Sequence, residues 1–373
     1  MNIVILASYA PSILNFRKEL VLSLKKYGKV TTLVPYESED MKHQIQSLGV
    51  DYQEIPLSRR GLNPLKDIKL LKFLVRFHKK NQTDLVIGYT VKPVIYGSIA
   101  AKIAKVPSIY SIITGLGFAF IDKSSLKQKL IQKLIQKLYK NTLKYNQTVF
   151  FQNPDDLNLF RQLKILPKTA ATQLINGSGV NLDYFEYKKD ICLAPIRFLM
   201  IARIMQDKGV VEFIQAAKQV KQDYGNVEFH LVGFMDESNH HIEQLINQCV
   251  EKKIINFHGE LQDVRSILAQ CSVYVLPSYR EGTPRSVLEA MSTGRAIITT
   301  DAPGCRETVQ EGHNGYLVPI KYANHLAEAM IKLIETPDKI IEMGKNSRQL
   351  VEEKYDVHKV NQVILKTIGL LND

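Results

Sequence analysis

The sequence predicts an α/β protein of two doubly wound domains, each an open parallel sheet covered by helices. Three observations lead there. Short β-branched, apolar runs alternate with amphipathic helical runs along nearly all of the 373 residues. The apolar runs are almost continuous rather than alternating, as in strands buried on both faces. The series restarts after a less regular segment at 181–195, and at roughly 100–200 residues per domain the length suits two domains.

In order along the chain, a first domain over 1–185 has strands expected at 3–7, 30–34, 51–55, 85–89, 108–113, 148–152 and 173–176. Helical spacing of apolar residues falls between them, at 15–27, 65–79, 93–105 and 126–144. A second domain over 190–355 has strands expected at 197–201, 228–232, 255–257, 273–276, 296–299 and 315–318. A last helix, over about 358–373, can belong to either domain and is free to pack back on the first. Open parallel sheets bind ligands at the C-terminal ends of their strands, so motifs are sought just after strands.

Apolar residues make up 45% and charged residues 23% of the chain, which excludes a disordered chain, a collagen-like fibre and a coiled-coil rod. Cys192, Cys249, Cys271 and Cys305 form no C-x-x-C pair and read as reduced cytosolic thiols, mostly core filler. The opening MNIVILASYA has no basic stretch before its apolar run and reads as a first strand, not a signal peptide. The longest charge-free run, 106–121, is broken by Pro107, Gly115 and Gly117 and is shorter than the ~20 residues of a membrane-spanning helix. A cytoplasmic protein with no membrane span is therefore expected. Charge is uneven: residues 1–180 carry 27 basic and 11 acidic side chains, a net of +16, whereas 181–373 carry 22 and 26, a net of −4. A basic half points to an anionic partner, whether nucleic acid, anionic lipid or a phosphorylated substrate, against the plainer reading of a solvated lysine-rich surface.

The most specific motif is Tyr279-Arg280-Glu281-Gly282-Thr283-Pro284-Arg285-Ser286-Val287-Leu288-Glu289-Ala290, directly after the strand expected at 273–276. Thr283 suits the N-cap of a helix, Pro284 its first turn and Gly294 its end. Free N–H groups and the positive dipole end at such a helix start bind anions. The second motif, Arg203-Ile204-Met205-Gln206-Asp207-Lys208-Gly209, follows the second domain's first strand. Arg203 offers a planar fork for phosphate oxygens and Lys208 a mobile point charge, although two solvated loop cations are common. Together the motifs describe a diphosphate held by two cations and a helix N-terminus. Glu281 and Glu289 then face something other than the diphosphate, and sugar hydroxyls are the obvious candidates.

On these residues the chain resembles glycosyltransferase family 4, retaining enzymes of the two-Rossmann-domain GT-B architecture, over nearly its full length. Arg203…Lys208-Gly209, Glu281-x7-Glu289 and Ala302-Pro303-Gly304-Cys305-Arg306-Glu307 carry the resemblance. It implies that Arg203 and Lys208 hold a nucleotide diphosphate, Glu289 the ribose and Glu281 the transferred sugar, with Arg203, Lys208 and Glu281 the catalytic set. It implies further donor contacts from Gly282, Thr283, Pro284 and Arg285, and a cradle for the base around His258-Gly259-Glu260-Leu261, with Gly259 and Leu261 in contact. The first half is similar to bacterial enzymes that extend polyprenyl-diphosphate-linked sugars, nearest to N-acetylgalactosaminyltransferases acting on lipid-linked bacillosamine and to capsule and O-antigen enzymes. Asn15-Phe16-Arg17, Lys92-Pro93, Gly115-Leu116-Gly117-Phe118 and the segment 177–181 carry that likeness, implying an acceptor site at Asn15, Arg17, Lys92, Gly115 and Gly117. Many family members have a His after the strand that here ends near 113. This chain has Thr114-Gly115-Leu116-Gly117, which suits a front-face mechanism without an enzymic base.

The expected activity is metal- and cofactor-independent transfer of an N-acetylhexosamine from a UDP-sugar to a polyprenyl-diphosphate-linked sugar. There is no D-x-D, and Gly115-x-Gly117 lacks the third glycine and the following acid of a dinucleotide fingerprint. A sugar-nucleotide epimerase of the same fold is the alternative reaction. A nucleic-acid-binding protein, suggested by a pI near 9.3, lacks a recognition motif, and no nucleic-acid partner is expected. Between 123 and 154 there are seven Lys and no acid. Lys129, Lys133, Lys137 and Lys140 run beside an apolar stripe that includes Leu130, Ile131, Leu134, Ile135 and Leu138. The stripe suits the first domain's core. The lysines suit an anionic membrane surface, placing the protein peripherally on the inner face of the cytoplasmic membrane.

Overall fold

The computed structural model describes residues 1–58, 61, 63–116, 126–167, 170–235 and 240–372, so the expected Gly117 contact lies outside the described residues. The chain forms two compact units, Met1–Ser178 with His358–Asp373, and Gly179–Val357. The first contains β1 (Asn2–Leu6), β2 (Lys29–Val34), β3 (Asp51–Glu54), β4 (Leu85–Tyr89), β5 (Ser108–Ile113), β6 (Thr148–Phe151) and β7 (Ala171–Leu174). These pair in the order β3-β2-β1-β4-β5-β6-β7, every ladder parallel. Its helices are α1 (Pro11–Leu24), α2 (Glu39–Gln46), α3 (Pro64–Lys80), α4 (Ser98–Ile103), α5 (Leu126–Leu143) and α6 (Pro154–Gln162). Burial on both faces explains the continuous apolar runs. On β1, Ile3 and Ile5 enter a core with α1, whereas Val4 and Leu6 enter another with Leu70 and Leu74 of α3.

The second unit repeats the plan with β8 (Ile196–Ile201), β9 (Val227–Val232), β10 (Asn256–Phe257), β11 (Val273–Leu276), β12 (Ala296–Thr300) and β13 (Gly315–Val318). They form a parallel sheet in the order β10-β9-β8-β11-β12-β13. Its helices are α7 (Val210–Asp223), α8 (His240–Glu251), α9 (Arg265–Gln270), α10 (Arg285–Thr293), α11 (Ala323–Glu335) and α12 (Pro337–Lys354). The closing helix is α13 (Val357–Thr367).

Each strand expected from sequence has a counterpart shifted by at most two residues at an end. Two details differ, and one left open by the sequence is decided. The first unit stops at Ser178 rather than 185, because Val180 and Phe185 enter the second unit's core. The last helix joins the first unit, burying Val360, Ile364 and Leu365 in the core that holds Ile3 and Ile5. The helix expected at 93–105 is a π-helical turn, Pro93–Gly97, followed by the short α4.

Inside the first unit, α3 buries His78 (1% exposed) with Nδ1 3.1 Å from Thr83 Oγ1. Burial lowers its pKa from 6.5 to about 4. The folded state then binds fewer protons than the unfolded state between those values, so stability is lost as pH falls from about 6.5 to 4. Against wild type, His78→Gln should flatten the pH dependence of urea-unfolding free energy across that window, by up to about 3 kcal/mol. An unchanged slope would refute this account.

Candidate functional site

At the C-terminal edge of the second sheet, the loops after β8, β11 and β12 meet through their backbones. Gly209 begins α7 at φ 75°, and a Cβ there would lie 2.1 Å from the Pro277 carbonyl oxygen. Gly304 has φ +83°, and its Cβ would lie 2.2 Å from the Glu281 carbonyl oxygen. Only glycine tolerates both the left-handed conformation and this proximity. Amides close the contacts. Tyr279 N–H donates to Asp207 C=O at 2.9 Å, and Glu281 N–H to Pro303 C=O at 2.9 Å. After β9 and β10, Gly233 N–H donates to Gly259 C=O at 2.8 Å, tying the 258–261 loop to the end of β9.

Four of the charged residues picked out by sequence form pairs there. Lys208 Nζ lies 2.5 Å from Glu281 Oε1, the two side chains only 14% and 17% exposed. Arg285 Nε donates to Glu289 Oε1 at 3.1 Å, one helical turn on, while Nη1 donates to Gly179 C=O. Burial raises the Glu289 pKa and Arg285 opposes the rise. Arg203 is exposed. The expectation of two cations free for a diphosphate and two carboxylates free for sugar is thus modified: at low dielectric, each carboxylate takes the nearest cation. The cap differs too. Pro284, extended at ψ 110°, is the N-cap of α10 in place of the expected Thr283, whose hydroxyl donates to Gly282 C=O at 3.0 Å. Gly282 and Pro284 are buried. Gly259 has φ +66° with open space beside it, and Leu261 packs on the second core.

The residues expected to bind acceptor lie in the first unit. Asn15 is exposed on α1. Arg17 is only 6% exposed, its guanidinium 4.5 Å from the centroid of the Tyr89 ring. Burial pushes the Tyr89 phenol up to about 12 against the pull of Arg17. Lys92 Nζ donates to Asp67 Oδ1 at 2.8 Å, and Tyr96 OH donates to Asp67 Oδ2 at 3.0 Å. Gly115, just past β5, has φ +109°. On α5, Lys129, Lys133, Lys137 and Lys140 are exposed. Its apolar stripe divides: Ile135, Tyr139 and Leu143 are buried, whereas Leu130 and Leu134 stay 68% and 48% exposed.

Sequence reasoning missed Asp67, whose pairing with Lys92 spans 25 positions and has no local signature. It also missed Glu212, in the first turn of α7, which accepts from Tyr279 OH at 2.6 Å and so ties the β11 loop to that helix. Among the described residues, no group of three or more His, Cys, Asp and Glu is arranged to hold a metal ion.

Gly304→Ala should lower stability more than Gly312→Ala. Gly312 has a similar φ of +74° but open space around it, so alanine there meets only the backbone penalty of about 1–2 kcal/mol. Equal losses in denaturant unfolding would show that the approach to Glu281 is not tight.

Residues 195–336 match the family described as "Glycosyl transferases group 1", and residues 5–153 match "Glycosyl transferase 4-like". The chain is 30% identical to N,N'-diacetylbacillosaminyl-diphospho-undecaprenol alpha-1,3-N-acetylgalactosaminyltransferase of Campylobacter jejuni, over 98% of both chains. It is 26% identical to UDP-Gal:alpha-D-GlcNAc-diphosphoundecaprenol alpha-1,3-galactosyltransferase of Escherichia coli, over 82% of this chain and 80% of that one. Among solved structures, Anabaena HepE in complex with UDP superposes with a TM-score of 0.79 at 18% identity over all of both chains. Sucrose-phosphate synthase from Thermosynechococcus elongatus gives 0.81 at 18% identity over 98% of both. The fold is that of GT-B glycosyltransferases. Matched in both units, and at 30% identity over 98% of its length with one relative, the chain belongs to the group 1, 4-like glycosyl transferases.

Proposed function

We propose that this glycosyltransferase is a retaining hexosyltransferase that needs no metal ion. It moves an N-acetylhexosamine, of the N-acetylgalactosamine type, from a UDP-sugar to a sugar carried on polyprenyl diphosphate, in assembly of a bacterial surface glycan or glycoprotein. The observation that carries the reading is the meeting of Lys208, Glu281 and the start of α10 at one strand edge, held by backbone contacts at Gly209 and Gly304, with Arg203 exposed on the same loop as Lys208. The acceptor and donor classes follow the Campylobacter jejuni relative's name and the UDP bound to HepE.

The chemistry needs little from the protein beyond position and charge. The acceptor hydroxyl attacks the anomeric carbon on the face from which UDP departs. The bond from that carbon to the diphosphate breaks, the hydroxyl proton passes to the leaving phosphate oxygen, and configuration is retained. Arg203 and Lys208 oppose the charge growing on the diphosphate. Glu281 accepts from hydroxyls of the transferred sugar and Glu289 from the ribose, while Gly259 and Leu261 border the base. Donor binding then divides Lys208 between Glu281 and phosphate, and Arg285 between Glu289 and phosphate. On the acceptor side, Asn15, Arg17, Lys92 and Gly115 border the lipid-linked substrate, with Asp67 orienting Lys92. The exposed lysines of α5 face an anionic membrane at the cytoplasmic leaflet. No helix among the described residues is long and apolar enough to cross a membrane.

The deciding experiment incubates the protein with UDP-N-acetylgalactosamine and a polyprenyl-diphosphate monosaccharide in EDTA, and examines the product by mass spectrometry and NMR. A new α-glycosidic bond is expected, formed at an undiminished rate in chelator. An isomerised sugar nucleotide would favour epimerisation, and metal-reversible loss of activity would overturn the role given to the two cations. Calorimetry with UDP supplies a second check. Arg203→Ala should weaken UDP binding by about 1.5–3 kcal/mol, as expected for one charge-assisted contact, and wild-type affinity would remove Arg203 from the site.

A further inference from the structure

We infer that the outer face of α3 docks on an anionic lipid surface; this rests on the reading that the first unit works beside a membrane. Two stripes run along α3. The inner one, Asp67, Leu70, Leu74 and His78, is buried against the sheet. The outer one occupies positions 65, 68, 69, 72, 73, 76, 77 and 80, steps of three and four that keep these residues on one side of the helix. It alternates apolar and cationic side chains and includes no acid. Leu65 is 80% exposed and Ile68 49% exposed, one turn apart at the helix start, an unusual cost for large aliphatic groups in water. Lys69, Lys72, Arg76 and Lys80 are exposed beside them. A shallow cavity of about 730 Å³ runs along this stripe, floored in part by Phe73 and Phe77, whose rings stack at 6.4 Å. No carboxylate lines it among the described residues. The nearest acid in the helix, Asp67, turns inward to Lys92.

Basic residues interleaved with Leu, Ile and Phe along one helix side are what a helix lying in the lipid interface presents: headgroup phosphates meet the cations, and the aliphatic groups enter the acyl boundary. A nucleic acid or an acidic protein surface would reward the cations and leave Leu65 and Ile68 in water. The neighbouring elements agree. Both α3 and α5 pack on the π-helical turn Pro93–Gly97 and on α4, so they share one face of the first sheet. At the first turns of α5, Leu130 and Leu134 are exposed beside Lys129 and Lys133. Both helices follow strands of a parallel sheet, so both present these apolar residues at its C-terminal edge, where Lys92 and Gly115 also lie. The membrane contact is thus a two-helix face, and α3 contributes the larger apolar part.

Co-sedimentation with vesicles of phosphatidylglycerol, and of phosphatidylcholine alone, tests this on the full chain. Wild type should bind the anionic vesicles, lose binding as salt rises, and bind phosphatidylcholine weakly. Lys69→Glu, Lys72→Glu and Arg76→Glu combined should lower partitioning at least about tenfold. Leu65→Ser with Ile68→Ser should lower it about threefold. UDP affinity and melting temperature should stay as wild type in both, since these side chains are exposed and belong to the first unit, whereas the residues proposed to bind UDP belong to the second. If both α3 variants sediment like wild type while Lys133→Glu, Lys137→Glu and Lys140→Glu combined does not, the inference fails and the α5 reading stands. If none of the three differs from wild type, both fail. Loss with the charge variant but none with Leu65→Ser and Ile68→Ser would overturn the lipid assignment in favour of a soluble polyanion.

Discussion

The arrangement of charge in the second unit depends on two points where backbone touches backbone. At Gly209 and Gly304 the loops after β8 and β12 press on the carbonyls of the loop between them, leaving no room for a Cβ. That approach sets Glu281 within ion-pair distance of Lys208 and seats the start of α10 beside them. Two hydrogen bonds reinforce it: the part-buried one from Tyr279 to Glu212, and the buried one from Thr299 to the Leu276 carbonyl at 2.7 Å. A site assembled from loop backbones on a rigid parallel sheet needs few side chains for its own support.

Pairing within the site has an electrostatic logic. An isolated buried charge is costly, and partners at 2.5 and 3.1 Å offset much of that cost. In the proposed reaction a diphosphate competes for the same cations. Its charges would be met by Arg203 and by Lys208 and Arg285 shared with their carboxylate partners, so two of the cations that meet them are already held in place. The same economy appears in the first unit, where Asp67 neutralises Lys92 within a largely buried cluster.

The two units divide the charge between them. The basic excess of the first half resides largely on exposed faces of α3 and α5, while the more acidic second half sets a few cations, Lys208 and Arg285 among them, beside carboxylates at the strand edge. Segregation of this kind suits the proposed reaction, in which one anionic substrate is a soluble nucleotide and the other is anchored in a membrane.

Much of this was legible in the sequence because it is local. Strand runs such as 85–89 and 273–276 coincide with β4 and β11, since burial on both faces demands uninterrupted apolar residues. Gly209 and Gly294 could be assigned to helix ends because left-handed backbone selects glycine. The family motifs at 203–209 and 281–289 were equally visible. Contacts between distant segments were decided only by tertiary structure. Pairing of Lys208 with Glu281 across 73 positions, and of Lys92 with Asp67 across 25, depends on which loops the sheet order brings together. The same holds for Thr283, a good cap by type, whose hydroxyl turned to a carbonyl once Pro284 set the helix start. On α3, sequence periodicity alone shows one helix with apolar residues on two sides. Only the packed sheet decides that Leu70 and Leu74 are core while Leu65 and Ile68 face outward, because a helix lying on a sheet can bury just one of its stripes.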